Sequence, residues 1–111
     1  MATTKSFRYL TSEQVSDLFR IVFTHSIISL GSNDMWDAYN IGLISDSALQ
    51  NAACYHLMRA IVETRPNTPY CALVSEVAKA TFSTESRVRN LMCVDYYGTP
   101  IQDLRKSLKL K

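Results

Sequence analysis

The sequence predicts an all-α protein, a compact bundle of five or six short helices forming one domain over residues 1–111. Three observations carry that prediction. Gly and Pro together number only six in 111 residues, and nearly all fall where helices should begin or end; an all-β chain needs many more turn-formers. Apolar residues recur at helical spacing along most of the chain. Three stretches pair a Thr or Ser with a Gln three residues later, the spacing of a capping box. A composition of 47% hydrophobic and 20% charged residues is that of a chain able to bury one modest core.

The first helix is announced by "LTSEQV", Leu10 to Val15. Thr11 and Gln14 form the capping box, and Leu10 and Val15 are spaced as a hydrophobic staple around it. The helix is expected to run to about Leu30, with Gly31 as its left-handed terminating residue. Val15, Leu18, Phe19 and Val22 line one face, and Phe23, Ile27 and Leu30 widen it. So broad an apolar arc predicts a central helix, or one that faces both a core and a partner.

A short helix through Tyr39 follows, capped by Ser32 or Asn33 and broken at Gly42. It is rich in Met35, Trp36 and Tyr39, and its only charges are acidic. The next helix is predicted from Ser47, paired with Gln50 as a second capping box, to Arg65, where Pro66 ends it. Leu49, Ala53, Leu57 and Ile61 repeat along one side. Thr68 as cap and Pro69 at the first helical position open another helix, with Leu73, Val77 and Ala80 as its stripe and Val74 and Ala78 beside it. Ser83 or Thr84 caps the next, where Val88, Leu91 and Met92 face inward. A turn at Gly98 and a third capping box, Thr99 with Gln102 around Pro100, start the last helix, with Ile101, Leu104 and Leu108 as its stripe. No repeat, low-complexity segment or linker interrupts the series.

Charge is divided unevenly. Residues 1–64 carry four basic and six acidic side chains, and residues 65–111 carry eight basic and four acidic, giving −2 and +4. An anionic partner is therefore expected on the C-terminal half.

Within that half, "VAKATFSTESRVRNLM", Val77 to Met92, resembles the helix-turn-helix segment of DNA-binding proteins. Such segments place an aliphatic residue and a small Ala on the first helix, a tight turn, and apolar residues on the second helix that pack back. Val77, Ala78, Val88 and Leu91 occupy those places. The resemblance implies nucleic-acid contacts from the exposed face of the second helix, at Arg87, Arg89 and Asn90, since Arg and Asn bind base edges and phosphates. It departs at Phe82, where the family usually has Gly. Either Phe82 adopts the left-handed conformation, which costs roughly 1–2 kcal/mol, or it plugs the core and the turn differs.

The overlapping stretch Leu73 to Val88 is also similar to part of the rod-shaped plant-virus coat proteins. There an aliphatic helix leads into Phe-x-Thr-x-x-Arg followed by Ile or Val, matched here by Phe82, Thr84, Arg87 and Val88, and nearby arginines hold RNA phosphates. Glu85 stands where that family tends to be basic. Both resemblances direct attention to Arg87 and Arg89. Lys79, Arg105 and Lys106 complete the basic set, and the tail "RKSLKLK" suits either a helix C-terminus or a phosphate backbone. The plainer account of these charges is a solvated face, with Glu85 and Arg89 as an i,i+4 pair worth a few tenths of a kcal/mol.

Little in the sequence suggests an enzyme. Cys54 and His56 diverge by roughly 200° on a helix, His25 lies on another helix, and Asp34 and Asp37 suit a helix N-terminus. No phosphate loop, HExxH or GxSxG occurs, and no cofactor or metal is expected. Three widely spaced cysteines predict small buried side chains rather than disulfides or zinc. No apolar run reaches the ~18 residues of a membrane span, and no signal-like segment opens the chain. The expected partners are therefore nucleic acid, DNA or RNA undecided, and a second copy of the chain, with no membrane and a cytoplasmic or nuclear location. The alternative is a protein-interaction module or self-assembling subunit. Its interface would be built on Trp36, Met35, Tyr39 and Phe23, residue types favoured at interface cores.

Overall fold

The computed structural model describes residues 9–25, 32–41, 43–93 and 100–109. Among them lie six helices and no strand: α1 (Ser12–His25), α2 (Ser32–Asn40), α3 (Asp46–Thr64), α4 (Tyr70–Ala80), α5 (Glu85–Leu91) and α6 (Ile101–Lys109). The protein is an all-α bundle.

Local signals account for several of the helix ends. The Thr11 Oγ1 accepts from the Gln14 N–H at 3.1 Å, and the Gln14 Oε1 accepts from the Thr11 N–H at 3.0 Å. This reciprocal pair satisfies two N–H groups that the start of α1 would otherwise orphan. Val15 is buried and Leu10 packs on the same cluster, as a staple requires. The predicted continuation of α1 through Ile27 to Leu30 and Gly31 lies outside the described residues, as does Gly42. Helix α3 ends at Thr64, with Arg65 as its cap before Pro66.

Two starts differ from expectation. Ser45, not Ser47, caps α3, its hydroxyl accepting from the Ala48 N–H at 3.0 Å. Starting there places Asp46 in the first turn, fully buried, where its carboxylate accepts from the backbone N–H groups of Tyr9 and Leu10 and from the Tyr39 hydroxyl, at 2.6–2.9 Å. Charge-assisted bonds to groups far along the chain outweigh the local box. Helix α4 begins one residue later than predicted, because the Thr68 hydroxyl donates to the Arg65 carbonyl at 2.8 Å and closes the preceding turn instead of capping. Thr84 does cap α5, accepting from the Arg87 N–H at 3.1 Å. Of the third box, Thr99 is outside the described residues; the Gln102 Oε1 accepts from the Cys93 thiol at 2.9 Å.

The central helix is α3, not α1. It packs against α1, α4, α5 and α6, and it buries Leu49, Gln50, Ala53, Cys54, Tyr55, Met58, Ile61 and Val62. Around its first half Val15, Leu18, Phe19, Val22 and Tyr39 form one cluster with Leu49 and Ala53. Around its second half Leu73, Val74, Val77, Ala78, Val88, Leu91, Met92 and Ile101 form another. Each large side chain taken from water in these clusters contributes roughly 1.5–3 kcal/mol. Ala80, placed in the α4 stripe by its spacing, is exposed, since the stripe turns away as the helix ends. Of the cysteines only Cys54 is buried; Cys71 and Cys93 are exposed.

Candidate functional site

Thr81 to Thr84 join α4 to α5, and one residue decides the corner. Phe82 has φ of 57°, so it adopts the left-handed conformation that glycine usually supplies. The N–H of Ser83 then reaches back to the carbonyl of Ala78 at 2.9 Å, the six-to-one bond that closes a helix of this kind. The Phe82 ring does not plug the core. It is 39% exposed.

The corner is held from beneath by Gln50, 2% exposed on the first half of α3. Its Nε2 donates to the carbonyls of Thr81 at 3.1 Å and Phe82 at 2.8 Å. Its Oε1 accepts from the Tyr9 hydroxyl and from Nη1 of Arg87. Both donors and both lone pairs of the amide are thus engaged. Beside it the Thr81 hydroxyl donates to the Val77 carbonyl at 2.7 Å, and the Cys54 Sγ lies 3.1 Å from the Thr81 Oγ1. A saturated polar network under a turn fixes its backbone, because any one loss leaves a buried group unpaired.

Above this network lies a recess of about 250 Å3 lined by Tyr9, Ser47, Gln50, Phe82, Ser83, Thr84 and Arg87. Its wall holds one cation, several hydroxyls, the aromatic rings of Tyr9 and Phe82, and no carboxylate. Arg87 also reaches the Tyr9 hydroxyl at 3.5 Å. It is half-buried rather than spread on the open face of α5, because residue 9 is brought beside it by the Asp46 carboxylate.

The other predicted basic residues fall into two groups. Lys79, Arg89, Asn90 and Lys106 are exposed, and Arg89 pairs with Glu85 at 3.6 Å. Arg105 is committed to the fold. Its Nη2 donates to the Thr68 carbonyl at 3.3 Å, and its guanidinium sits 5.6 Å from the Tyr70 ring centre. Its buried Nε meets no hydrogen-bond partner among the described residues.

The predicted interface residues separate likewise. Tyr39 is buried, 8% exposed, and donates its hydroxyl to Asp46, so it packs chiefly within the domain's own core. Trp36 stands edge-on to Phe19 at 4.9 Å and to Tyr39 at 5.9 Å, half-buried in the domain's own aromatic cluster. With Phe23 it borders an open groove between α1 and α2 of about 250 Å3. The Met35 side chain lies outside the described ones.

Sequence reading missed Gln50 and Tyr9. Gln50 carried the signature of a capping residue, and nothing local marks Tyr9 as a partner of residues far along the chain. Among the described residues no cluster of His, Cys, Asp and Glu is arranged to hold a metal, and no helix is long and apolar enough to cross a membrane. Comparison with protein-family models, with curated proteins and with solved structures gave no match to this chain.

Proposed function

We propose that this chain is a small, non-enzymatic nucleic-acid-binding protein that meets phosphates through its basic C-terminal half. The observation that carries the reading is the state of the charges there. Arg65 and Arg89 are paired with Glu76 and Glu85, whereas Lys79, Arg87 and Lys106 meet no carboxylate among the described residues. Unpaired cations on a half of net charge +4 favour a polyanion, whose binding releases counterions. The corner resembles a helix-turn-helix in its left-handed residue, which supports Arg89 and Asn90 as further contacts.

The test is binding to labelled nucleic acid across a salt series, for the wild type and for a Lys79→Ala/Lys106→Ala double variant. Both lysines are exposed, so the fold is expected to persist. The double variant should bind more weakly, and each lost phosphate contact should flatten the slope of log affinity against log salt by about 1. Unchanged affinity and slope would remove the two lysines from the interface.

A second reading is favoured by a different observation. Ile41 and Leu43, at the turn between α2 and α3, are 73% and 76% exposed, and the Trp36–Phe23 groove lies in the same half of the chain. These features support a protein-contact surface, with a second copy as the first occupant to examine. Sedimentation at rising concentration should show self-association that Leu43→Asp abolishes. A species that stays monomeric throughout leaves this surface without that occupant.

A further inference from the structure

The recess at the α4–α5 corner has the makings of a ligand site that charge alone does not explain. A left-handed non-glycine residue is unfavourable, yet the chain places a bulky aromatic there and leaves its ring exposed. The buried Gln50 amide fastens the two carbonyls on either side of the Thr81–Phe82 step, so the ring is presented from a fixed backbone. Arg87 lines the same recess, and its side-chain hydrogen bonds among the described residues pass through Nη1 alone. Nε and Nη2 meet no acceptor among the described residues, and together they form the two-pronged edge that matches a phosphate. Thr84 accepts a backbone bond through its oxygen, so its hydroxyl hydrogen remains to donate. No carboxylate lines the recess; the nearby Asp46 carboxylate is buried and engaged by the N–H groups of Tyr9 and Leu10 and by the Tyr39 hydroxyl.

An aromatic face, an adjacent guanidinium edge and neighbouring hydroxyls are the elements that recognise a nucleotide with an unpaired base. The base stacks on the ring, the phosphate takes the cation, and the hydroxyls meet the base edge. The volume fits this division. About 250 Å3 is below the ~300–1,000 Å3 of pockets that enclose a whole drug-sized ligand, and it suits one flat ring system entering from an open side. A duplex keeps its bases stacked on each other and cannot offer one without an unstacking cost.

We infer that the Phe82–Arg87 recess binds one nucleotide of a single-stranded nucleic acid, its base stacked on Phe82 and its phosphate on Arg87. The inference rests on the nucleic-acid reading above and sharpens it, selecting single strands over duplex. The test uses fluorescence anisotropy of a short labelled oligonucleotide, presented single-stranded and as a duplex of the same length at low salt. Wild-type protein should prefer the single strand. Phe82→Ala and Phe82→Gly should each weaken that binding about tenfold or more, the scale of one base–aromatic stack, and Phe82→Trp should retain it. Phe82→Gly controls for folding, because glycine favours the left-handed backbone and its melting temperature should not fall. Binding that is equal for duplex and single strand, or that survives both Phe82 replacements, overturns the stacking site and leaves the nucleic-acid reading standing. Displacement of the strand by free uridine monophosphate at the strand's own concentration overturns the strand as the source of the nucleotide. Absence of binding to every strand at low salt overturns the nucleic-acid reading itself.

Discussion

The two ends of α3 are stabilised by different means. Its first half is wrapped by aromatic rings, Phe19, Trp36 and Tyr39, meeting edge to face, and is anchored by one buried carboxylate, Asp46. Its second half is packed by aliphatic side chains of α4, α5 and α6. Also in the first half, one helical turn beyond Asp46, lies the neutral amide of Gln50, which reaches across to the corner between α4 and α5. A carboxylate gathers donors, and Asp46 collects two backbone N–H groups and a phenol. An amide both gives and takes, so Gln50 alone can join acceptors at the α4–α5 corner to donors on Tyr9 and Arg87. The contrast shows why the polar residue at the aromatic end is charged and the one at the corner is not.

Substitutions at the two positions should separate these roles. The largest effect is expected from Asp46→Ala, which strands the Tyr39 hydroxyl and the N–H groups of residues 9 and 10. A loss on the order of 3 kcal/mol or more follows from bonds to a charged group. Urea unfolding should report it, and a loss under 1 kcal/mol would show that water replaces the carboxylate. Gln50→Leu should cost less, on the order of 2 kcal/mol, from carbonyls left unpaired at Thr81 and Phe82. Its signature is local: amide exchange should rise at residues 81–84 and stay unchanged in α1. Exchange that rises equally in both regions would mean that the two ends of α3 are not separable. The smallest effect is a gain. Phe82→Gly should raise stability by about 1 kcal/mol by relieving the left-handed conformation, and a loss instead would show that the ring packs more than it strains.

Several features that depend on near neighbours were legible in the sequence. Thr11 with Gln14, Leu10 with Val15, Thr84 before α5 and Pro66 after α3 act within five residues of where they stand, and the structure has them so. Phe82 was legible as one of two alternatives, and its φ chose between them. The central position of α3 was hidden for a physical reason: the stripe Leu49, Ala53, Leu57 and Ile61 marks one face, but a helix contacted on several sides also buries residues off that face, here Cys54, Tyr55, Met58 and Val62. The cap at Ser45 and the true use of Gln50 were hidden because each is decided by groups tens of residues away. Half of the recess was legible, since Phe82, Ser83, Thr84 and Arg87 stand together in one stretch, whereas Tyr9, Ser47 and Gln50 join them only through long-range contacts. The surface lysines were legible as charges, while the commitment of Arg105 to Thr68 and Tyr70 needed the packing of α6.

The single turn of α3 from Asp46 to Gln50 also bears on the order in which the chain folds. Its bonds to Tyr9 and to the corner span 31 to 41 residues, whereas the capped helix ends close within three or four. Closing such long loops costs entropy before any bond rewards it. These contacts are therefore expected to complete during the final descent into the native state, after the helices have formed and begun to pack. A change at Gln50 should accelerate unfolding and leave the folding rate nearly untouched. The residues that shape the recess would then be the last to lock and the first to release.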